Sequence, residues 1–267
     1  MTRLRGVFER LRAEKRAALV PYLTAGDPDP ETTVQYALAL GEGGADVIEL
    51  GVPFSDPLAD GPVIQRASER ALAAGTRLDD VLRCAAEIAR ASLPVVLMTY
   101  ANPVLRRGWD AFARDAAAAG VHGVILTDVP PEEAAPFLPA AEQADLGTVF
   151  LVAPTSGAAR IADAVRVTTG FLYCVSRLGV TGERGTLSDS FRPVLDRVRR
   201  TTDLPVALGF GISTPEQARE AARLADGVVV GSRLVAIAEE AGTPARATEA
   251  LRRAAGELRK AIEEARR

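Results

Sequence analysis

Short apolar runs of four to seven residues recur along the chain at 18–24, 47–50, 95–99, 123–126, 149–152, 171–175, 206–210 and 227–230, eight in all. Between them the apolar positions change to helical spacing, over 78–91, 109–119, 158–167, 191–200 and 215–224. A first helix precedes the first run and carries Leu4, Val7, Phe8 and Leu11 on one stripe. After that run Asp29 offers a cap and Pro30 a first-turn proline to a helix expected to face inward through Val34, Ala37, Leu38 and Gly41. The last helix, 245–265, presents Leu251, Ala255, Leu258 and Ile262.

Near-continuous apolar strands are what a parallel sheet buried on both faces requires, and regular alternation with helices supplies its crossovers. Eight such units predict an α/β fold, a (β/α)₈ TIM barrel with an extra N-terminal helix, as a single catalytic domain over 1–267. An open doubly wound sheet is the alternative, but G-x-G-x-x-G is missing after the first strand. Two connections exceed the usual spacing, 51–74 after strand two, with room for an extra short helix, and 177–190 after strand six. Long loops at the C-terminal face of a barrel are where sites and lids are built.

Composition narrows the function. The 35 acids against 32 bases give a net charge of -3 with no long single-sign block, so nucleic acid and membrane surfaces gain no support as partners. Cys84 and Cys174 cannot build a disulfide framework or a zinc cluster and read as core residues of a reducing compartment. The Arg-rich N-terminus lacks the apolar centre of a secretory signal, and the expected location is cytoplasmic.

Glu49 is the odd residue, a carboxylate in the run V-I-E-L-G. Period two puts Val47, Glu49 and Gly51 on one face, so if Ile48 and Leu50 meet the helices, Glu49 points into the barrel near its top. A structural ion pair is the competing reading. Asp60, in A-D-G-P, is a second acid for proton transfer or a turn former, and Asp56 a loop cap or contact residue. A phosphate site is marked by glycines after strand six (179–182), strand seven (Gly209, Gly211) and strand eight (Gly231, followed by Ser232). Lysine occurs only at Lys15 and Lys260, in terminal helices, so no Schiff base is available at the mouth. The sole histidine, His122, is expected just before strand four in a packing or capping role, and a His-based zinc site cannot be assembled.

The stretch E-L-G-V-P-F-S-D-P-L-A-D-G-P-V-I-Q, with P-Y-L-T-A-G-D-P, M-T-Y-A-N-P-V, D-V-P, S-R-L-G-V-T-G and G-F-G-I-S, resembles the tryptophan synthase alpha chain family from end to end. The resemblance implies cleavage of indole-3-glycerol phosphate to indole and glyceraldehyde 3-phosphate. Glu49 would be the principal acid/base, and Asp60 would hold the indole N–H and stabilise the cationic indolenine. Tyr173 would line the pocket, and Gly182, Gly211, Gly231 and Ser232 would bind the phosphate. Thr181 would meet Asp60 when the lid closes. Tyr22 stands where the family commonly has Phe on the indole wall, and its hydroxyl needs a partner if buried.

No cofactor is implied in this chain. Pyridoxal phosphate is expected in a β chain that joins it in an α₂β₂ complex, with 53–58, including Asp56 and Pro57, at the interface. The isolated chain is expected to be a weak catalyst activated by that partner. The alternatives are a stand-alone indole-3-glycerol phosphate lyase and a non-catalytic, phosphate-binding regulatory barrel.

Overall fold

Eight parallel strands close into a barrel in chain order, each hydrogen-bonded to the next and the eighth to the first. The computed structural model describes residues 1–175, 187–209 and 211–266. The elements run α1 (Arg3–Ala13), β1 (Ala18–Thr24), α2 (Pro30–Glu42), β2 (Ile48–Gly51), α3 (Pro62–Ala73), α4 (Leu78–Arg90), β3 (Val95–Thr99), α5 (Ala101–Arg107), α6 (Trp109–Ala118) and β4 (Val121–Leu126). They continue as α7 (Leu138–Gln143), β5 (Gly147–Val152), α8 (Ala158–Val167), β6 (Leu172–Val175), α9 (Leu187–Thr201), β7 (Val206–Gly209), α10 (Pro215–Leu224), β8 (Gly227–Val230), α11 (Ser232–Glu240) and α12 (Pro244–Glu264). Among the described residues no helix is long and apolar enough to cross a membrane.

Two apolar layers follow from the period of the strands. Ile48 and Leu50 pack outward with Leu19, Leu97 and Leu208 beneath the helices. Val47, Val96, Ile125, Val149 and Val229 fill the barrel interior. The interior is plugged from below by α1, whose Leu4, Val7, Phe8 and Leu11 are all buried there. Leu4 takes the space that a Cβ would need at Gly123, Gly147 or Gly170, and the Phe8 and Phe171 rings sit 4.8 Å apart. Glycine at the lower strand ends thus admits the plug.

Several boundaries and faces differ from the sequence expectation. β2 begins one residue later and reaches Gly51, whereas β4 and β5 begin two residues earlier. His122 therefore lies within β4, half-buried, its Nδ1 3.0 Å from the Gly120 carbonyl oxygen. Burial and the nearby Arg3 lower its pKa. On α2 the Asp29 cap holds, its Oδ1 accepting from the Thr32 N–H at 2.7 Å. The buried face, however, centres on Thr33, Tyr36, Ala37 and Leu40, with Val34, Leu38 and Gly41 only half-buried. Neighbouring α4 and α12 both pack on α2 and set that arc, which the helix's own periodicity does not contain. The extra helix in the 51–74 connection is the three-turn α3, and α5 and α11 are further insertions at the strand ends.

Candidate active site

The C-terminal ends of the strands converge on a cavity of about 330 Å³, a size suited to a small organic ligand. Parallel register pairs Tyr22 with Glu49, so two adjacent strands aim a phenol and a carboxylate at the same space. The hydroxyl of Tyr22 is 3.2 Å from Thr24 Oγ1, which supplies the partner that its burial demands. That ring passes over Gly51, where a Cβ would lie 2.1 Å from the hydroxyl oxygen. Tyr173 from β6 lies in the same way over Gly209 of β7. Met98, Ile64 and Val229 complete the apolar wall.

Glu49 is only 1% exposed and faces this cavity, with its Oε2 finding no protein partner among the described residues. Burial, and secondarily the charge of Asp60, push its pKa up to about 8. At neutral pH it is a neutral acid with a proton to give.

Asp60 precedes the Gly61–Pro62 start of α3, beside the cavity rather than on its lining. Burial raises its pKa to about 6, against the opposing pull of a hydrogen bond from Tyr100. The two acids are thus split across neutrality, one protonated and one ionised. Tyr100, at the end of β3, was not singled out from the sequence. Its Oη donates to Asp60 Oδ2 at 3.1 Å and accepts from the Ala59 N–H at 3.0 Å, while its ring stacks on Phe54 at 5.0 Å. The available signal was its place in M-T-Y-A-N-P at a strand's C-terminal end, the same kind of position as Glu49. In Tyr100→Phe the Asp60 carboxylate loses a donor, and its pKa is expected to rise by about one unit. A carboxyl-carbon NMR titration measures this, and an unmoved Asp60 would remove Tyr100 from the account.

The opposite end of the cavity is built from backbone. Gly211 has φ +83°, a left-handed conformation that glycine adopts without strain, and it lies on the lining with Ser213, Gly231 and Ser232. Gly231 caps α11 without any side-chain acceptor; the Leu234 and Val235 N–H groups donate to its carbonyl oxygen, and the N–H groups ahead of them, of Ser232 and Arg233, are those that face an anion at a helix start. Thr181 and Gly182 lie outside the described residues. Asp56 and Pro57 sit away from the cavity, on the outer part of the same loop. Asp56 is exposed, accepting from Ser55 Oγ at 2.6 Å, and the neighbouring Leu58 is 95% exposed.

The site therefore has an apolar middle, a protonated Glu49 and an ionised Asp60 at one end, and a glycine-lined helix start at the other. Residues 8–263 match the family model described as tryptophan synthase alpha chain. The tryptophan synthase alpha chain of Solibacter usitatus is 55% identical over 241 residues, 90% of each chain. A chain in the ligand-free crystal structure of tryptophan synthase from M. tuberculosis superposes with a TM-score of 0.89 at 44% identity, covering 98% of this chain and 99% of that one. The alpha subunit from Legionella pneumophila gives a TM-score of 0.88 at 39% identity, covering 99% of both.

Proposed function

The chain belongs to the tryptophan synthase alpha chain family, a lyase family of tryptophan biosynthesis that works with a β chain, and from that premise we propose that it cleaves indole-3-glycerol phosphate to indole and glyceraldehyde 3-phosphate. The observation that carries this reading is the pair of acids held on opposite sides of neutrality at one end of a cavity whose other end is an anion cradle. The ring would lie between Tyr22, Tyr173 and Met98, with the phosphate at Gly211, Gly231 and Ser232.

Glu49 delivers its proton to indole C3, giving an indolenine cation. Asp60, ionised, accepts a hydrogen bond from the indole N–H and stabilises that cation. The Glu49 carboxylate then takes the proton of the glycerol hydroxyl next to the ring. The carbon–carbon bond breaks, its electron pair returns to the ring, and the hydroxyl carbon becomes the aldehyde. Protons balance: one is gained at C3, one is lost from the hydroxyl, and Glu49 ends as it began. All these steps are assigned to carboxylates of this chain, with pyridoxal phosphate left to the β chain.

We take 1–267 as one catalytic domain acting in the cytoplasm, and the assembly as α₂β₂ with 53–58 at the interface. Support comes from Leu58, an exposed large apolar side chain on the loop that leads to Asp60. Pressure on that loop would reach the acid through Tyr100, which binds both Ala59 and Asp60. Thr181 and Gly182 would complete the lid and the phosphate site.

The test is indole release from indole-3-glycerol phosphate by the chain with and without a β chain. Release that rises strongly with the β chain is expected. No indole with a β chain present overturns the assignment and leaves the regulatory barrel; equal turnover in both conditions makes the chain a stand-alone lyase.

A further inference from the structure

Behind the cavity, on the outer side of α3, Arg70 is held at three points. Its Nε and Nη2 donate to the two carboxylate oxygens of Asp27 at 2.8 and 2.7 Å, and its Nη1 donates to Glu239 Oε1 at 2.8 Å. Arg66, one turn earlier on the same face, donates from Nη2 to Glu239 Oε2 at 3.0 Å. Two cations and two anions thus join the loop after β1, helix α3 and helix α11.

The Glu239 side of this cluster is a poor source of stability. Arg66, Arg70 and Glu239 are 50%, 37% and 34% exposed, and ion pairs open to water contribute little; only Asp27, 12% exposed, is held away from solvent. Its placement is more informative. Helix α3 starts at Pro62, two residues after Asp60, and α11 starts at Ser232 in the anion cradle. Asp27 lies three residues past Thr24, the partner of the Tyr22 hydroxyl. The three elements tied together at the back are those whose front ends hold the acid, the cradle and the ring wall. Glu239 is seven residues from Ser232, about 10 Å along a rigid helix, so a tilt released at one end displaces the other.

We propose that Arg70 and Glu239, assisted by Arg66, are positioning residues that fix the distance between the anion cradle and the Asp60 end of the site. A substrate that spans both ends is thereby held in reactive register. The proposal rests on the cavity being the indole-3-glycerol phosphate site. A misplacement of about 1 Å between reacting groups can cost on the order of 10²-fold in rate, so a modest tilt would be visible in turnover.

The experiment uses the chain assembled with a β chain, in wild type and in Arg66→Gln, Arg70→Met, Arg70→Lys and Glu239→Gln. Three quantities are read: kcat/KM for indole-3-glycerol phosphate, the Kd of inorganic phosphate and the Kd of indole. Glu239→Gln and Arg70→Met are expected to lose about tenfold in kcat/KM, with Arg70→Lys recovering part of it. Phosphate and indole each occupy one end only and should bind within about twofold of wild type. Arg66→Gln spares every Arg70 contact, so it tests the tie with the fold intact, with an expected loss of about threefold. Wild-type kcat/KM in these variants, or a loss of phosphate affinity as large as the loss in turnover, overturns the tie. A wild type that releases no indole removes the reading of the site itself, and the tie with it.

Discussion

Glu49→Gln is expected to lose about 10²–10⁴-fold in indole release while becoming more stable than wild type, increasingly so as pH rises. In the proposed mechanism the activity loss follows from removing the proton that Glu49 would deliver to indole C3. The stability gain follows from the direction of the pKa shift. The folded chain keeps the Glu49 proton up to about pH 8, whereas the group ordinarily releases it near 4.5. Between those values the unfolded state binds fewer protons than the folded state, so stability falls as pH rises and levels off above about 8. At 1.36 kcal/mol per unit this costs the wild type roughly 3 kcal/mol at pH 7 and up to roughly 5 above pH 8. Glutamine has nearly the same shape and does not titrate, so the variant escapes that slope. Urea unfolding of both proteins at pH 6 and pH 8.5 reads the difference. A gap that stays constant between the two pH values would sink the protonated Glu49.

Asp60→Asn is expected to lower kcat/KM by about 10²–10³-fold, because the indolenine cation of the proposed mechanism loses its counter-charge. It should also move Glu49. The Asp60 charge is the second cause of the raised Glu49 pKa, so its removal lets that value fall and shifts the basic limb of the kcat/KM profile to lower pH. The wild-type profile is expected to be bell-shaped, since activity needs Asp60 ionised, above about 6, and Glu49 protonated, below about 8. In the variant the acid limb near 6 should disappear. An acid limb that persists in Asp60→Asn would assign it to another group.

Much of this architecture was legible in the sequence because it rests on local chemistry. The inward direction of Glu49 is a matter of strand period, and Val47 with the inner layer and Ile48 and Leu50 with the outer follow it. The α1 plug was visible as a stripe of four apolar residues. The inner face of α2 departs from the sequence expectation because two neighbouring helices, not its own spacing, decide which side is covered. The role of Tyr100 is not legible in the sequence, since nothing local says that residue 100 lies against residue 60.

What the sequence by itself determined is the set of parts: eight strands, the acid among apolar neighbours, the glycines at strand ends, and the motifs that carry the family resemblance. These are properties of spacing and residue type within a few positions. Only the tertiary structure decided how the two carboxylates differ, because a pKa depends on burial and on charges that arrive from other strands and helices. It also decided the partners of Tyr22 and Asp60, and the joining of Asp27, Arg66, Arg70 and Glu239 across three elements. The bonded partners among them are up to 173 residues apart in the chain, and closure of the barrel is what brings them within hydrogen-bonding distance.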